Sequence, residues 1–414
     1  MNIPLSQPDI GEREIERVTR ALRSGDLSLG PRVPEFEEEF AHFVGARYAI
    51  AVNSGTSALH LCVKALGIGP EDEVLTTSFS FVASTNCLLY EGALPAFVDI
   101  DPFTLNMDPA TIREILECDY LWDRAKSRHT NRRSGRILKA ILPVHIFGLP
   151  CDMGAILEIA REFNLLVIED ACEALGATYR GRPVGTFGDA AAFAFYPNKQ
   201  MTTAEGGMIV TNDAQIAAFC RSLRNQGRDD QPGWLRHTRL GYNYRLSDLH
   251  GALGLAQLER IDQLLASRAR VAAAYSRALA RTPGITLPHQ SPQAERSWFV
   301  YPIQLQGPRP SSARERLIEG LRERGIPSRT YFPPIHRQPY FKQVTLSRPP
   351  SLPYTDAAAE KCLVLPFFSA MTDEQITRVS ESVQKCCRSF PQAWMPEQNN
   401  SAQPRDHHTR GTAS

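Results

Sequence analysis

The chain has 414 residues, too many for one small core and enough for a large domain with a smaller companion. With 46 Lys and Arg against 45 Asp and Glu the formal net charge is +1, so no global basic field draws the protein to nucleic acid or to an anionic membrane. No segment has the apolar length of a bilayer span, and the start Met1-Asn-Ile-Pro-Leu-Ser-Gln-Pro lacks the features of a signal peptide, so a cytoplasmic protein is expected.

From about Tyr48 onward, strand-like apolar runs alternate with helical patterns. Residues 49–52 read as a strand, followed by a Ser-Gly-Thr turn and a helix over 58–66. Residues 73–76 lead to a helix over 81–90, and 95–99 form the next strand. The polar, basic stretch 118–136 interrupts this rhythm and is expected to be a solvated hairpin or loop rather than an arm on a phosphate. A strand over 137–144, a helix over 153–163 and a strand over 165–169 resume it. Strands separated by helices of this length pair in parallel through crossovers, so the expectation is an α/β domain with helices on both faces of a mostly parallel sheet. Ligands in such sheets bind at the carboxyl ends of the strands.

Residues 190–195 and 208–211 read as two further buried strands. After a helix over 246–279 the pattern changes to short strands (298–304), a helix (313–324), a Pro-rich loop (332–339) and a last helix (373–387). The organisation expected is a large domain over 1–254, a smaller α+β domain over 255–390, and a disordered tail over 391–414, where apolar residues are few. The nine cysteines are scattered, without Cys-x-x-Cys or zinc-type spacing, and read as small buried hydrophobes rather than as disulfides or metal ligands.

Four strand-end motifs carry chemistry. Asn53-Ser-Gly-Thr56-Ser57-Ala-Leu leaves a strand and opens a helix, where free N–H groups and hydroxyls seat a phosphate; an ordinary helix cap is the alternative. Ser78-Phe-Ser-Phe81 offers an aromatic ring, either as a stacking platform or as core. Val167-Ile-Glu-Asp170-Ala-Cys-Glu173 puts an acid directly after an apolar strand, where it serves a protonated ring nitrogen or caps a helix. Lys199, in Tyr196-Pro-Asn-Lys-Gln, sits in a turn between two buried strands, placing an amine at a strand end where it forms a Schiff base or snorkels to solvent. Together, phosphate seat, ring platform, carboxylate and lysine are the four needs of pyridoxal 5′-phosphate (PLP).

These stretches, with Gly185-Thr-Phe-Gly-Asp189, Gly241-Tyr-Asn-Tyr-Arg-Leu-Ser-Asp248 and Tyr331-Phe-Pro-Pro-Ile-His336, resemble the DegT/DnrJ/EryC1/StrS sugar aminotransferases over nearly the whole chain apart from the tail. The resemblance implies the PLP-dependent transferase fold of type I, with a seven-stranded type of sheet. It implies that Lys199 is the lysine bound to the cofactor aldehyde, that Asp170 pairs with the pyridine nitrogen, that Glu173 lies near the ring hydroxyl and that Phe81 stacks on the ring. Thr56 and Ser57 would hold the phosphate, and Asn243 would reach the phosphate of a neighbouring subunit, so a homodimer with shared active sites follows. Tyr331 and His336 match a loop that approaches the sugar nucleotide from the partner. Many members carry a serine where this chain has Ala194, which removes one phosphate donor, and a lysine at 199 argues against the dehydratases of the family.

The activity implied is amino transfer from L-glutamate to a nucleotide-linked 4-keto-6-deoxyhexose for surface-glycan biosynthesis, with the perosamine-synthase-like enzymes as the nearest pattern. A nucleotide-sugar 3-aminotransferase is the alternative within enzymes. A PLP-binding regulatory protein is the alternative outside them, disfavoured by the near-neutral charge and the lack of a helix-turn-helix signal.

Overall fold

The computed structural model describes residues 3–125, 127–228 and 236–391. The expected tail therefore lies, from residue 392 on, outside the described residues. Two helices, α1 (Glu12–Ser24) and α2 (Arg32–Val44), precede β1 (Tyr48–Val52). Then come α3 (Gly55–Ala65), β2 (Asp72–Thr77), α4 (Ala83–Leu89), β3 (Leu94–Val98) and α5 (Pro109–Asp119). The hairpin β4 (Tyr120–Asp123) and β5 (Arg128–Asn131) leads to β6 (Ile137–Leu142), α6 (Met153–Glu162) and β7 (Leu166–Asp170). Two short strands, β8 (Thr178–Tyr179) and β9 (Arg182–Pro183), stand apart before β10 (Ala190–Ala194), β11 (Gly207–Thr211) and α7 (Ala214–Arg224).

The main sheet runs β1-β11-β10-β7-β6-β2-β3. From β10 to β3 every neighbour pair is parallel, as helical crossovers require, while β11 is antiparallel to both β10 and β1. β11 follows β10 after a connection with no helix and returns antiparallel to it. The carboxyl ends of β1, β2, β6, β7 and β10 thus open on one edge of the sheet. The hairpin β4–β5 joins β6 at Ile137, the opposite end, so the basic insertion is the hairpin expected and stands away from the strand ends.

Alternation along β10 sets both faces of the sheet. Phe193 and Phe195 pack with Phe36 and Phe40 of α2 at ring-centroid distances of 5.3–5.5 Å. Pairs of this kind contribute about 0.5–1.5 kcal/mol each beyond area burial. Ala192 and Ala194 face the other way, towards α3, as the two-residue period of a strand dictates.

The remaining elements are α8 (Asp248–Leu258), α9 (Ile261–Leu279), β12 (Ile285–Thr286), β13 (Ala294–Glu295), β14 (Tyr301–Leu305), α10 (Pro310–Glu323), α11 (Pro353–Lys361), β15 (Cys362–Leu365) and α12 (Asp373–Arg388). The helix expected over 246–279 is two helices. The chain leaves helical geometry at Arg260 (φ −122°, ψ 23°), whose guanidinium is held by Asp9 and Glu14. Helix α8 crosses the boundary expected at 254, and its Leu255 and Leu258 share a core with Phe36 and Phe40. A second core gathers Tyr275, Tyr301, Leu317, Leu363 and Val383 around the antiparallel sheet β12-β14-β15. Ile3 joins this core, and Leu5 accepts from the Phe367 amide at 2.9 Å, so the first residues pack with the C-terminal part. The strand expected from 298 begins only at Tyr301, because the carbonyls of Trp298 and Phe299 accept from Arg268 instead of a strand neighbour.

Candidate active site

At the shared strand edge lies a cleft of about 670 Å³. Each strand end delivers its motif to it: Ser54, Gly55 and Thr56 after β1, Ser80 and Phe81 after β2, Asp170, Cys172 and Glu173 at β7, and Tyr196, Asn198 and Lys199 after β10. Phe299, Tyr331 and Phe332 close it from the C-terminal part.

The first turn of α3 forms one wall. Ser54 caps the helix, its Oγ accepting from the Ser57 amide at 3.1 Å, and its carbonyl accepts from the Ala58 amide at 3.0 Å. This leaves the amides of Gly55 and Thr56, both lining the cleft, without an acceptor inside the helix. Cap and anion seat are therefore the same structure, since a helix start carries partial positive charge and aims its free N–H groups outward. A Cβ at Gly55 would stand 2.6 Å from Ala194 Cβ, so only glycine lets the helix start approach β10 this closely. Ser57 is turned away: its hydroxyl donates to Asn53 Oδ1 at 2.7 Å, and it is not among the lining residues.

Asp170 is buried. Its Oδ2 accepts from Ser84 Oγ at 2.7 Å and its Oδ1 from the Cys172 amide at 3.1 Å. Because the single Ser84 proton goes to Asp170, Ser80, at 2.8 Å, donates to Ser84. Glu169, the other acid of the motif, faces the opposite way and is fully buried. It accepts from the amides of Gly185, Phe187 and Gly188 at 2.7–2.8 Å and pairs with His145 Nε2 at 3.2 Å. The Cys151 amide donates to His145 Nδ1, which fixes the proton of that ring on Nε2. Strand alternation thus separates the two acids: Glu169 fastens the Gly185–Gly188 loop, and Asp170 reaches the cleft.

Lys199 Nζ lies 3.8 Å from Glu173 Oε1 and 3.9 Å from the centroid of the Phe299 ring. Glu173 is buried, and its Oε2 accepts from the Phe147 amide at 2.9 Å. Burial pushes the Glu173 carboxyl up to about 7, against the pull of Lys199 and of the Phe147 amide. Phe147 holds a left-handed conformation (φ 53°), a cost of roughly 1–2 kcal/mol that turns its amide onto Glu173. Tyr331 stacks on Phe332 at 4.8 Å and on Phe147 at 6.5 Å, and burial followed by the Glu173 charge raises its phenol.

Among the residues expected from sequence, the cleft brings together Lys199, Asp170, Glu173, Thr56, Phe81 and Tyr331. It does not bring in Ser57, Asn243 or His336. Asn243 is exposed outside the cleft, with its carbonyl 3.4 Å from Asn53 Nδ2. His336 is tied to Ser78 Oγ at 2.7 Å and to Asp356 at 3.5 Å, and burial lowers its pKa. Sequence reasoning missed Ser84, whose only signal is its four-residue spacing from Ser80, and Phe299, which nothing in its local sequence marks. Of the cysteines, Cys118 is exposed and Cys172 lines the cleft, contrary to the expectation of burial.

A lysine amine, a buried strand-end carboxylate and an open helix start on a mostly parallel sheet define a transferase of the PLP-dependent aminotransferase class, fold type I. The chain belongs to the DegT/DnrJ/EryC1/StrS aminotransferase family, whose model matches residues 8–384. It is 43% identical to the GDP-perosamine synthase of Caulobacter vibrioides over 91% of this chain and 96% of that protein. It is 37% identical to the spore coat polysaccharide biosynthesis protein SpsC of Bacillus subtilis, over 92% of this chain and 96% of that one. Among solved structures, Helicobacter pylori PseC, an aminotransferase of pseudoaminic acid biosynthesis, superposes with a TM-score of 0.85 at 27% identity, covering 94% of this chain and 100% of that one. S. venezuelae DesV superposes with a TM-score of 0.83 at 32% identity, covering 94% and 100%.

Proposed function

We propose that this aminotransferase binds PLP in the cleft and transfers the amino group of L-glutamate to a nucleotide-linked 4-keto-6-deoxyhexose, making an amino sugar for a surface glycan. The observation that carries the reading is the placement of Lys199 and Asp170 in one cleft with the open start of α3. The residues fit the cofactor: free amides of Gly55 and Thr56 for a phosphate, Phe81 for a ring face, and a buried carboxylate at Asp170 for a ring nitrogen. When bound, PLP supplies an electron sink for the carbon from which the amino group departs.

With PLP bound, Asp170 would hold a proton on the ring nitrogen, and the Ser80–Ser84 chain keeps Asp170 oriented. Lys199 would anchor the cofactor at rest, and its free amine would take the α-proton of the amino acid and later give a proton to the sugar carbon. Glu173, 3.8 Å from Lys199 Nζ, would lie near the ring hydroxyl. Tyr331 flanks the sugar nucleotide. Exposed Asn243 is available to the phosphate site of a second copy, which supports a homodimer with shared sites, and His336 stands on the same outer loop as Tyr331. The relative named GDP-perosamine synthase supports a GDP-linked sugar as the first acceptor to try. No helix among the described residues is long and apolar enough to cross a membrane.

The test is incubation of the PLP-loaded protein with L-glutamate and GDP-, UDP- and dTDP-linked 4-keto and 3-keto sugars, with products identified by mass and NMR. Amino sugar from a 4-keto substrate is expected. Amino sugar from 3-keto substrates alone moves the assignment to the neighbouring carbon, and none from any ketose sinks the transferase reading.

Glu173 gives the stability of the protein a pH dependence. Its carboxyl is raised in the fold from the ordinary 4.5 to about 7, so its contribution is present in full below about 4.5 and is lost as pH rises through about 7. The loss is about 3 kcal/mol. Melts of the cofactor-free protein between about pH 5 and about pH 8 should therefore fall more steeply for wild type than for Glu173→Gln. Equal slopes would show that this group does not titrate there.

A further inference from the structure

Arg268 occupies the middle of α9 and is 2% exposed, in the same helix stripe as Leu264, Val271 and Tyr275. Its Nε donates to the Trp298 carbonyl at 2.8 Å, and its Nη2 donates to the carbonyls of Asn198 at 2.9 Å and Phe299 at 3.1 Å. The Phe367 ring lies 5.3 Å from Cζ. Burial draws the guanidinium down to about 10, leaving it charged at neutral pH, and no carboxylate among the described residues offsets the cost. A buried cation without a counter-ion is expensive, and an apolar side chain would fill the stripe more cheaply. The three carbonyls it joins explain its presence.

Asn198 and Lys199 share one peptide unit. The carbonyl of that unit is held by Arg268, and its N–H donates to the Tyr196 carbonyl at 2.9 Å, so the plane from which the lysine springs is fixed on both sides. At the other end of the side chain, Lys199 Nζ stands 3.9 Å from the ring of Phe299, whose own carbonyl is bound to the same guanidinium. One side chain therefore sets both the root of the lysine and the ring over its tip. These two parts lie far apart in the sequence, and Arg268 joins them through their carbonyls.

We propose that Arg268 is a positioning residue for amino transfer, holding the Lys199 amine on its path between cofactor and substrate by fixing the Asn198–Lys199 peptide and the Phe299 ring together. Proton transfer depends steeply on such placement, since a misplacement of about 1 Å can cost roughly 10²-fold in rate. The proposal rests on Lys199 being the reactive amine. If Lys199→Ala retains activity that reading fails, whereas the labelling described next reports the position of the amine without turnover.

The test uses the full chain and two variants. Arg268→Lys keeps a charge but is a compact donor that cannot span three carbonyls as the planar fork does. Phe299→Leu removes the ring and keeps the backbone bonds to Arg268. In the cofactor-free protein, modification of Lys199 by an amine-reactive reagent, read by peptide mass spectrometry against Lys64, should speed up about two- to fivefold in each variant. With PLP bound, Arg268→Lys should lower kcat by about 10- to 100-fold and change KM for L-glutamate by less than about threefold. A folded Arg268→Lys that melts lower yet labels and turns over as wild type does overturns the proposal, because Arg268 is then structural only. Unchanged Lys199 labelling in Phe299→Leu overturns it too, and decides the matter alone should Arg268→Lys fail to fold.

Discussion

Lys199→Ala should abolish amino transfer, lowering kcat by at least about 10³-fold, because it removes the covalent anchor and the proton carrier in one change. The variant should still take up PLP through the open start of α3 and through Asp170, but its spectrum should lack the band of lysine-bound cofactor. Lys199→Arg separates the two functions: it keeps a cation beside Glu173 and has no nucleophilic amine at neutral pH, so it should be as inactive as the alanine variant. A second consequence follows for Glu173. Lys199 is one of the two influences that pull its carboxyl down, so with alanine at 199 that carboxyl should titrate still higher. Absorbance of the PLP-treated variants and single-turnover assays with L-glutamate check these outcomes. A retained lysine-bound band in Lys199→Ala would place the attachment on another lysine and remove the centre of the mechanism.

Asp170→Asn should be the next most severe change, lowering kcat by about 10²–10³-fold. The amide is nearly the same size, so packing around β7 should survive. What disappears is the charge that keeps a ring nitrogen protonated. An amide oxygen can still accept from Ser84 or from the Cys172 amide, the two donors that now hold separate carboxylate oxygens at 2.7 and 3.1 Å. Cofactor affinity should fall as well, yet saturating PLP should not restore kcat, which separates lost occupancy from lost chemistry. If saturating cofactor brings Asp170→Asn back to within about threefold of wild type, the carboxylate is a cofactor-binding group alone.

Most of the catalytic half of the cleft could be read in the chain before any coordinates, for a physical reason. Parallel strands end at one edge, so motifs that follow apolar runs at residues 52, 77, 170 and 194 must meet there. The choice between Glu169 and Asp170 was less legible. A strand alternates faces, but the sequence does not say which face meets the cleft, and only the Gly185–Gly188 amides show where Glu169 goes. The outer half depends on long-range packing. The hydroxyl of Ser57 is taken by Asn53, and His336 is held by Ser78 and Asp356 outside the cleft, contacts that local sequence does not show. Arg268 did leave a mark in the sequence: it is a charge on the apolar stripe of a long helix, where such residues seldom stand unless something buried needs a donor.

The contact between Gly55 and Ala194 limits how this cleft can vary. The helix start and the sheet edge meet at a distance that has no room for another carbon. In a library that randomises one of the two positions at a time, every larger residue at 55 should be lost together with cofactor retention. A side chain at 55 is expected only with a compensating retreat of α3. Position 55 is thus closed to any side chain, and the anion pocket can change its donors only from the other side of the contact, at 194, while the helix start stays where glycine puts it.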